Sequence, residues 1–229
     1  MHRTRVKICG ITRPEDAAAA AAAGADAIGM VFYAPAPRNI SIERAKEILS
    51  ILPPFISPVG LFVDADARSI CGLAEQLHLR HVQLHGHEPP ARVAELGGLY
   101  VIKAMRVGDN LTDELKTWRR GMSELNLPNL RGIVLETAGT REPGGTGEAN
   151  EWDAVQRHRA AGAFEGLPQL IAAGGLTPET VGDVVSSLRP WAVDVSSGVE
   201  SSKGIKSAEK IQQFVRAVRE ADAAVNAAT

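Results

Sequence analysis

Val6-Lys7-Ile8-Cys9-Gly10-Ile11-Thr12 is the stretch on which the fold of this chain turns. It reads as a short buried strand that delivers one thiol to its C-terminal end, just before Pro14 opens a helix. The end of a first strand is where an α/β barrel keeps its chemistry. Working outward, the same grammar of strand, loop and helix returns along the chain. Short β-rich runs at 6–8, 27–31, 57–62, 81–84, 100–104, 132–135, 169–172 and 192–195 alternate with helical patterns at 14–23, 42–52, 67–77, 90–96, 111–118, 151–161, 178–188 and 207–225. Punctuation supports the alternation. Thr12 precedes Pro14, Ser41 precedes an amphipathic run, and Thr177-Pro178-Glu179 offers a cap, a first-turn proline and an early acid. The alanine run 17–23 is strong helix former, closed by Gly24.

Strict β/α alternation argues for a parallel sheet. Eight units in 229 residues, with no long linker or low-complexity tract, predict one closed (β/α)8 TIM barrel over residues 1–229. The competing architecture is an open doubly wound sheet. It calls for a glycine fingerprint after the first strand, and Cys9-Gly10-Ile11-Thr12 is not one.

Bulk properties exclude several classes. A formal charge of −2 gives no reason to expect nucleic-acid or membrane partners, although a few local cations could bind an anionic substrate. No stretch approaches the roughly 20 apolar residues needed to span a bilayer. Two cysteines are too few for a disulfide scaffold and suggest a reducing compartment. Residues 1–5 lead straight into a strand with no apolar signal core, so the expected location is cytoplasmic.

In a barrel, function gathers in the loops after each strand. Those positions read Cys9, Arg38, Asp64, His85, Arg106, Glu136, Gly174-Gly175 and Ser196-Ser197-Gly198. Glycines let backbone amides point at anionic oxygens, and loops seven and eight are the usual phosphate site of barrel enzymes. Either motif alone reads as a tight turn or a helix entry; together they predict phosphate binding at Gly174, Gly175, Ser196, Ser197 and Gly198. Loop six is long and glycine-rich, and its Gly145 and Gly147 fit a cover over the same phosphate.

Cys71, within a helical pattern, reads as a small hydrophobe. Cys9 differs, because strand alternation puts Lys7 and Cys9 on one inward face and a nearby ammonium favours thiolate. Asp194, inward on the eighth strand, could pair with Lys7 or touch substrate. Glu136, opposite a thiol, completes an acid–base pair, although alone it would read as a solvated loop acid. Arg38 could clamp a carboxylate with its planar fork or merely cap a loop. His85 could bond substrate or satisfy a buried carbonyl. The histidines at 78, 81, 85 and 87 lack metal-ligand spacing, so no metal is expected.

These residues resemble those of the phosphoribosylanthranilate isomerases of tryptophan biosynthesis, over nearly the whole chain. The opening strand carries the likeness, as do Gly60-Leu61-Phe62-Val63, Val82-Gln83-Leu84-His85-Gly86, Gly144-Gly145-Thr146-Gly147, Ala172-Ala173-Gly174-Gly175-Leu176 and Val193 through Glu200. The resemblance implies an aldose-to-ketose Amadori rearrangement of N-(5′-phosphoribosyl)anthranilate that uses no cofactor. It also implies a phosphosugar as the small-molecule partner, with the protein a monomer or homodimer. Cys9 falls on the family's general base, Arg38 on its carboxylate clamp, and loops seven and eight on its phosphate site. Two positions depart. The family acid is Asp, and here Glu136 adds a methylene; Ser207 stands where Asp is common. Rival readings are a dual-substrate sugar isomerase (which would carry Asp in place of Cys9), another phosphosugar barrel, and a non-catalytic or altered-specificity paralogue opened by Glu136.

Overall fold

Near-continuous apolar runs such as Ala27–Val31, buried on both faces, suit only a parallel sheet covered by helices. The computed structural model, which describes residues 3–137 and 151–228, has that arrangement. Strands β1 (Arg5–Ile8), β2 (Ala27–Val31), β3 (Ser57–Phe62), β4 (His81–Leu84), β5 (Tyr100–Arg106), β6 (Leu130–Glu136), β7 (Gln169–Ala173) and β8 (Ala192–Val195) close into a barrel in chain order. Between and after them run α1 (Pro14–Ala23), α2 (Ile42–Ser50), α3 (Ala67–Gln76), α4 (Pro90–Glu95), α5 (Leu111–Leu125), α6 (Glu151–Ala160), α7 (Val181–Leu188) and α8 (Ala208–Ala227). β1 pairs in parallel with β8, Lys7 opposite Asp194, so no strand edge is left open.

The period of two divides the core. Val6, Ile8, Val193 and Val195 face outward into the layer beneath the helices. A smaller cluster of Ala104, Val134, Ile171, Ala173 and Ala192 lies apart from that layer, and Cys9, Val31 and Leu61 form a third. That third cluster lines the functional mouth.

Four features differ from expectation. α5 runs seven residues past Trp118, because the polar stretch 119–125 hides the apolar stripe that Trp118 and Leu115 bury. α7 starts at Val181 rather than 178, since residues 178–180 make a turn in which the Thr177 carbonyl accepts from Thr180 N and Val181 N. Thr12 does not cap α1; its hydroxyl donates to Gly204 O at 2.6 Å. Gly204 belongs to an unforeseen hairpin of β9 (Glu200–Ser202) and β10 (Ile205–Lys206), too short to show a period. Ser41 and Ser207 do cap α2 and α8, accepting from Arg44 N and Lys210 N.

α8 is locked to the first strand's entry by Asp222, whose buried carboxylate accepts from Thr4 N at 2.8 Å and Thr4 Oγ1 at 2.7 Å. Asp222→Ala strands both donors in a buried setting. It is expected to cost about 2–3 kcal/mol, read as a lower urea midpoint with an unchanged slope.

Candidate active site

The inward positions at the top of the barrel build the site. Lys7 Nζ lies 2.6 Å from Asp194 Oδ2, with both side chains about 6 % exposed. A buried charge needs its partner, and removing one side of such a pair costs several kcal/mol. Asp194 also lines the cavity, and its buried Oδ1 has no hydrogen-bond partner among the described residues.

Cys9 sits two residues above Lys7 and is buried. Burial pushes its thiol up, Lys7 pulls it down, and Asp194 opposes Lys7; the net direction is upward. The expected ammonium is therefore present, but it does not leave a resting thiolate. Burial outweighs the pull of Lys7, and Asp194 offsets part of that pull.

Glu136 ends β6 and faces His85, whose Nε2 is 3.2 Å from Glu136 Oε2. Behind the ring, Gln83 Nε2 lies 2.9 Å from Nδ1. With that amide donating, the ring proton sits on Nε2 and points at the carboxylate. His85 thus holds the Glu136 carboxyl below the ordinary carboxylate range, against the upward push of burial and with help from Arg106 and Lys7. The loop carrying His85 is braced from outside the barrel. Buried Lys103 Nζ donates to Gly86 O at 2.6 Å and to Glu88 at 3.0 Å, and Glu88 accepts from Asp64 N and Gly86 N.

Arg38, in the loop after β2, makes a two-point contact with Glu200: Nε to Oε1 at 2.7 Å and Nη2 to Oε2 at 2.8 Å. Across the mouth, loops seven and eight touch backbone to backbone. A Cβ on Gly198 would collide with Leu176 O, and one on Gly174 with Thr137 O. These two glycines are therefore demanded by loop packing, in line with the tight-turn reading of each motif alone. Gly175 takes φ +60° between them.

Cys9, Arg38, His85, Glu136, Asp194, Gly174, Gly175, Ser196, Ser197 and Gly198 all line one cavity of about 490 Å³ at the C-terminal mouth. Gly145 and Gly147 lie outside the described residues. Asp64 stands at a strand end but away from this cavity, and Arg106 lines a smaller space beside Glu136 and His85. Sequence reasoning missed Gln83, Lys103, Glu88 and Lys206 as supports. Alternation does turn Gln83 inward beside Leu61, and that was the available signal. Among the described residues no cluster of three His, Cys, Asp or Glu is placed to hold a metal ion.

A closed (β/α)8 barrel with a thiol, a carboxylate, a guanidinium and small-residue loops around one mouth defines a barrel of the acid–base class, shaped for a small anionic ligand. The pattern of the N-(5′-phosphoribosyl)anthranilate isomerase family matches residues 6–217. The chain belongs to that family. The N-(5′-phosphoribosyl)anthranilate isomerase of Pseudomonas fluorescens (strain Pf0-1) is 45 % identical over 222 residues, covering 96 % of this chain and all of that one. A phosphoribosylanthranilate isomerase crystallised with reduced 1-(o-carboxyphenylamino)-1-deoxyribulose 5-phosphate is 35 % identical, with TM-score 0.77 and coverage of 95 % and 99 %. A structure described as monomers of the dimeric Thermotoga maritima enzyme is 34 % identical, with TM-score 0.74 and coverage of 94 % and 98 %.

His85→Ala removes the donor that favours the Glu136 carboxylate while leaving burial in place, so the Glu136 titration should move upward, read by carbon-13 NMR of its carboxyl. In the wild type the His85 contact stabilises the fold above the ordinary carboxylate value of 4.5 and fades as pH falls through the depressed one.

Proposed function

We propose that this chain, as a single barrel domain, catalyses the Amadori rearrangement of N-(5′-phosphoribosyl)anthranilate to 1-(2-carboxyphenylamino)-1-deoxyribulose 5-phosphate in tryptophan biosynthesis. The supporting observation is the convergence of Cys9, Glu136, Arg38 and loops seven and eight on one cavity, in a chain whose family pattern spans residues 6–217. Both cysteines are free, as in a reducing compartment, and we assign the protein to the cytoplasm. No helix among the described residues is long and apolar enough to cross a membrane. The working unit is a monomer or a homodimer, the latter being the state described for the Thermotoga maritima relative.

Substrate lies with its phosphate against Gly175, Ser197 and Gly198 and its aromatic carboxylate at Arg38. Glu136, protonated, gives its proton to the ribose ring oxygen as the C1′–O bond breaks and the nitrogen lone pair forms an iminium. Cys9 as thiolate then takes the C2′ proton, and the C–H electrons move into the C1′–C2′ bond and neutralise the iminium. The resulting enolamine ketonises, with a proton gained at C1′ and one lost from the C2′ hydroxyl. In this reading the unpartnered Asp194 Oδ1 accepts from a ribose hydroxyl, and His85 keeps Glu136 oriented.

The ligand-free bias runs opposite to these roles, since Glu136 is held ionised and Cys9 protonated. One proton is shared by the pair, and the productive form carries it on Glu136. Between the two titrations the total stays at one proton, so kcat/KM should plateau rather than peak. Activity should fall in acid below the ordinary carboxylate value of 4.5, where both groups are protonated. It should fall in base only above the ordinary thiol value of 9.0, where both are ionised.

Turnover of freshly made phosphoribosylanthranilate, followed by loss of anthranilate-type fluorescence, tests the assignment. Cys9→Ser should slow turnover by about three orders of magnitude, because a hydroxyl is a far weaker base, with product-analogue affinity nearly unchanged. Glu136→Gln should be nearly inactive. Glu136→Asp withdraws the carboxyl by more than 1 Å and should cost about a hundredfold. Near-normal rates for Cys9→Ser or Glu136→Gln remove that residue from the chemistry.

A further inference from the structure

The reaction uses Arg38, and what holds Arg38 lies beyond it. Glu200 occupies the Nε and Nη2 edge of the guanidinium. Its Oε1 also accepts from Lys206 Nζ at 3.0 Å, and the same ammonium reaches Ser196 O at 3.0 Å and Ser196 Oγ at 3.3 Å. Glu200 is 8 % exposed and Lys206 4 %. From the guanidinium after β2 to the serine after β8, one continuous chain of charge-assisted bonds runs through the buried Glu200 and Lys206 along the cavity's edge.

We propose that Glu200 and Lys206 are positioning residues that fix the spacing between the carboxylate reader Arg38 and the phosphate loop at Ser196, so that the fold itself sets the site for a ligand with one anion at each end. The proposal rests on the reading of Arg38 given above.

Three observations carry it. First, Glu200 takes one edge of Arg38 and leaves the Nη1–Nη2 edge, which is the other edge able to grip a carboxylate at two points. No described residue bonds Nη1. Second, the charges are two cations to one anion. Arg38 and Glu200 alone would be neutral; Lys206 restores one positive charge, which an arriving carboxylate balances. Third, the framework is rigid. The hairpin bearing both residues is tied by Thr12 to Gly204 O, by Asp16 accepting from Lys206 N at 3.2 Å, and by Lys210 Nζ to Glu200 O at 2.8 Å. Arg38 lies flat over Gly10, where any Cβ would collide with Arg38 Cδ. Burial works to raise the Glu200 carboxyl, but Arg38 and Lys206 outweigh it and hold it at about 2, so the anchor stays ionised through the working range.

The test measures binding by calorimetry, independent of turnover. Its two ligands are reduced 1-(o-carboxyphenylamino)-1-deoxyribulose 5-phosphate and the phenylamino counterpart lacking the carboxyl. The wild type should prefer the first by about a hundredfold, as a desolvated two-point ion pair allows. Glu200→Gln should shrink that preference about tenfold while changing affinity for the carboxyl-free ligand less than about threefold. Glu200→Gln/Lys206→Met removes one charge of each sign and so guards against a fold lost to an unpaired buried ammonium. It should lose the preference as well, and in addition weaken inorganic phosphate binding about fivefold. An unchanged preference in both variants overturns the proposal, as does an equal loss for both ligands, which is mere loosening. A wild type without preference overturns it together with the reading of Arg38. A preference that collapses as described in a protein that turns over no phosphoribosylanthranilate upholds the positioning role and rejects the isomerase assignment.

Discussion

Everything at the barrel's mouth is arranged above the Lys7–Asp194 pair. It spans the seam where β1 meets β8, and the strand period turns both residues inward. Two charges in so dry a place are tolerable only together. Their mutual demand fixes the register at the point where the sheet closes on itself. It also fixes what lies above, since Cys9 follows Lys7 by one strand repeat. The pairing has a chemical consequence as well. Burial raises the thiol more than the Lys7 ammonium, itself paired with Asp194, can lower it, while the second oxygen of that carboxylate has no partner among the described residues.

Across the mouth, Glu136 shows the complementary logic. Its carboxylate reaches His85. That ring is oriented by Gln83 from within the barrel, and its loop is braced by the Lys103–Glu88 pair from without. A donor aimed at the carboxylate favours ionisation, so an acid role requires the ligand to change this contact. An arriving phosphosugar can do so by excluding water and by bringing negative charge close to Glu136, and both effects raise a carboxyl. Under the proposed mechanism, the proton that Glu136 must give rests on the thiol before substrate arrives.

In the proposed reading, the two anionic ends of the ligand are met by different devices. The phosphate end faces backbone amides of loops packed so tightly that Gly174 and Gly198 admit no side chain. The carboxylate end faces one guanidinium whose freedom has been removed by Glu200. Ordering a long side chain costs conformational entropy, and here the fold meets that cost before any ligand arrives.

The sequence by itself determined the barrel, the direction every strand residue faces, and the shared inward face of Lys7, Cys9 and Asp194. These follow from periods of 2 and 3.6 and from the closure of eight βα units, which depend on local spacing alone. It also placed Arg38, His85, Glu136 and the two glycine-bearing loops at one rim, because each ends a strand. Only the tertiary structure decided how these groups are charged and held. Lys7 meets Asp194 across 187 residues of chain, and that contact, with burial, sets Cys9 as a thiol. His85 reaches Glu136 across 51 residues, and Glu200 reaches Arg38 across 162. A hairpin of five strand residues has too little period to announce itself, yet it carries Glu200, the anchor of Arg38. Electrostatic state depends on which charges end up within a few ångströms and how much water remains between them, and no local pattern encodes either.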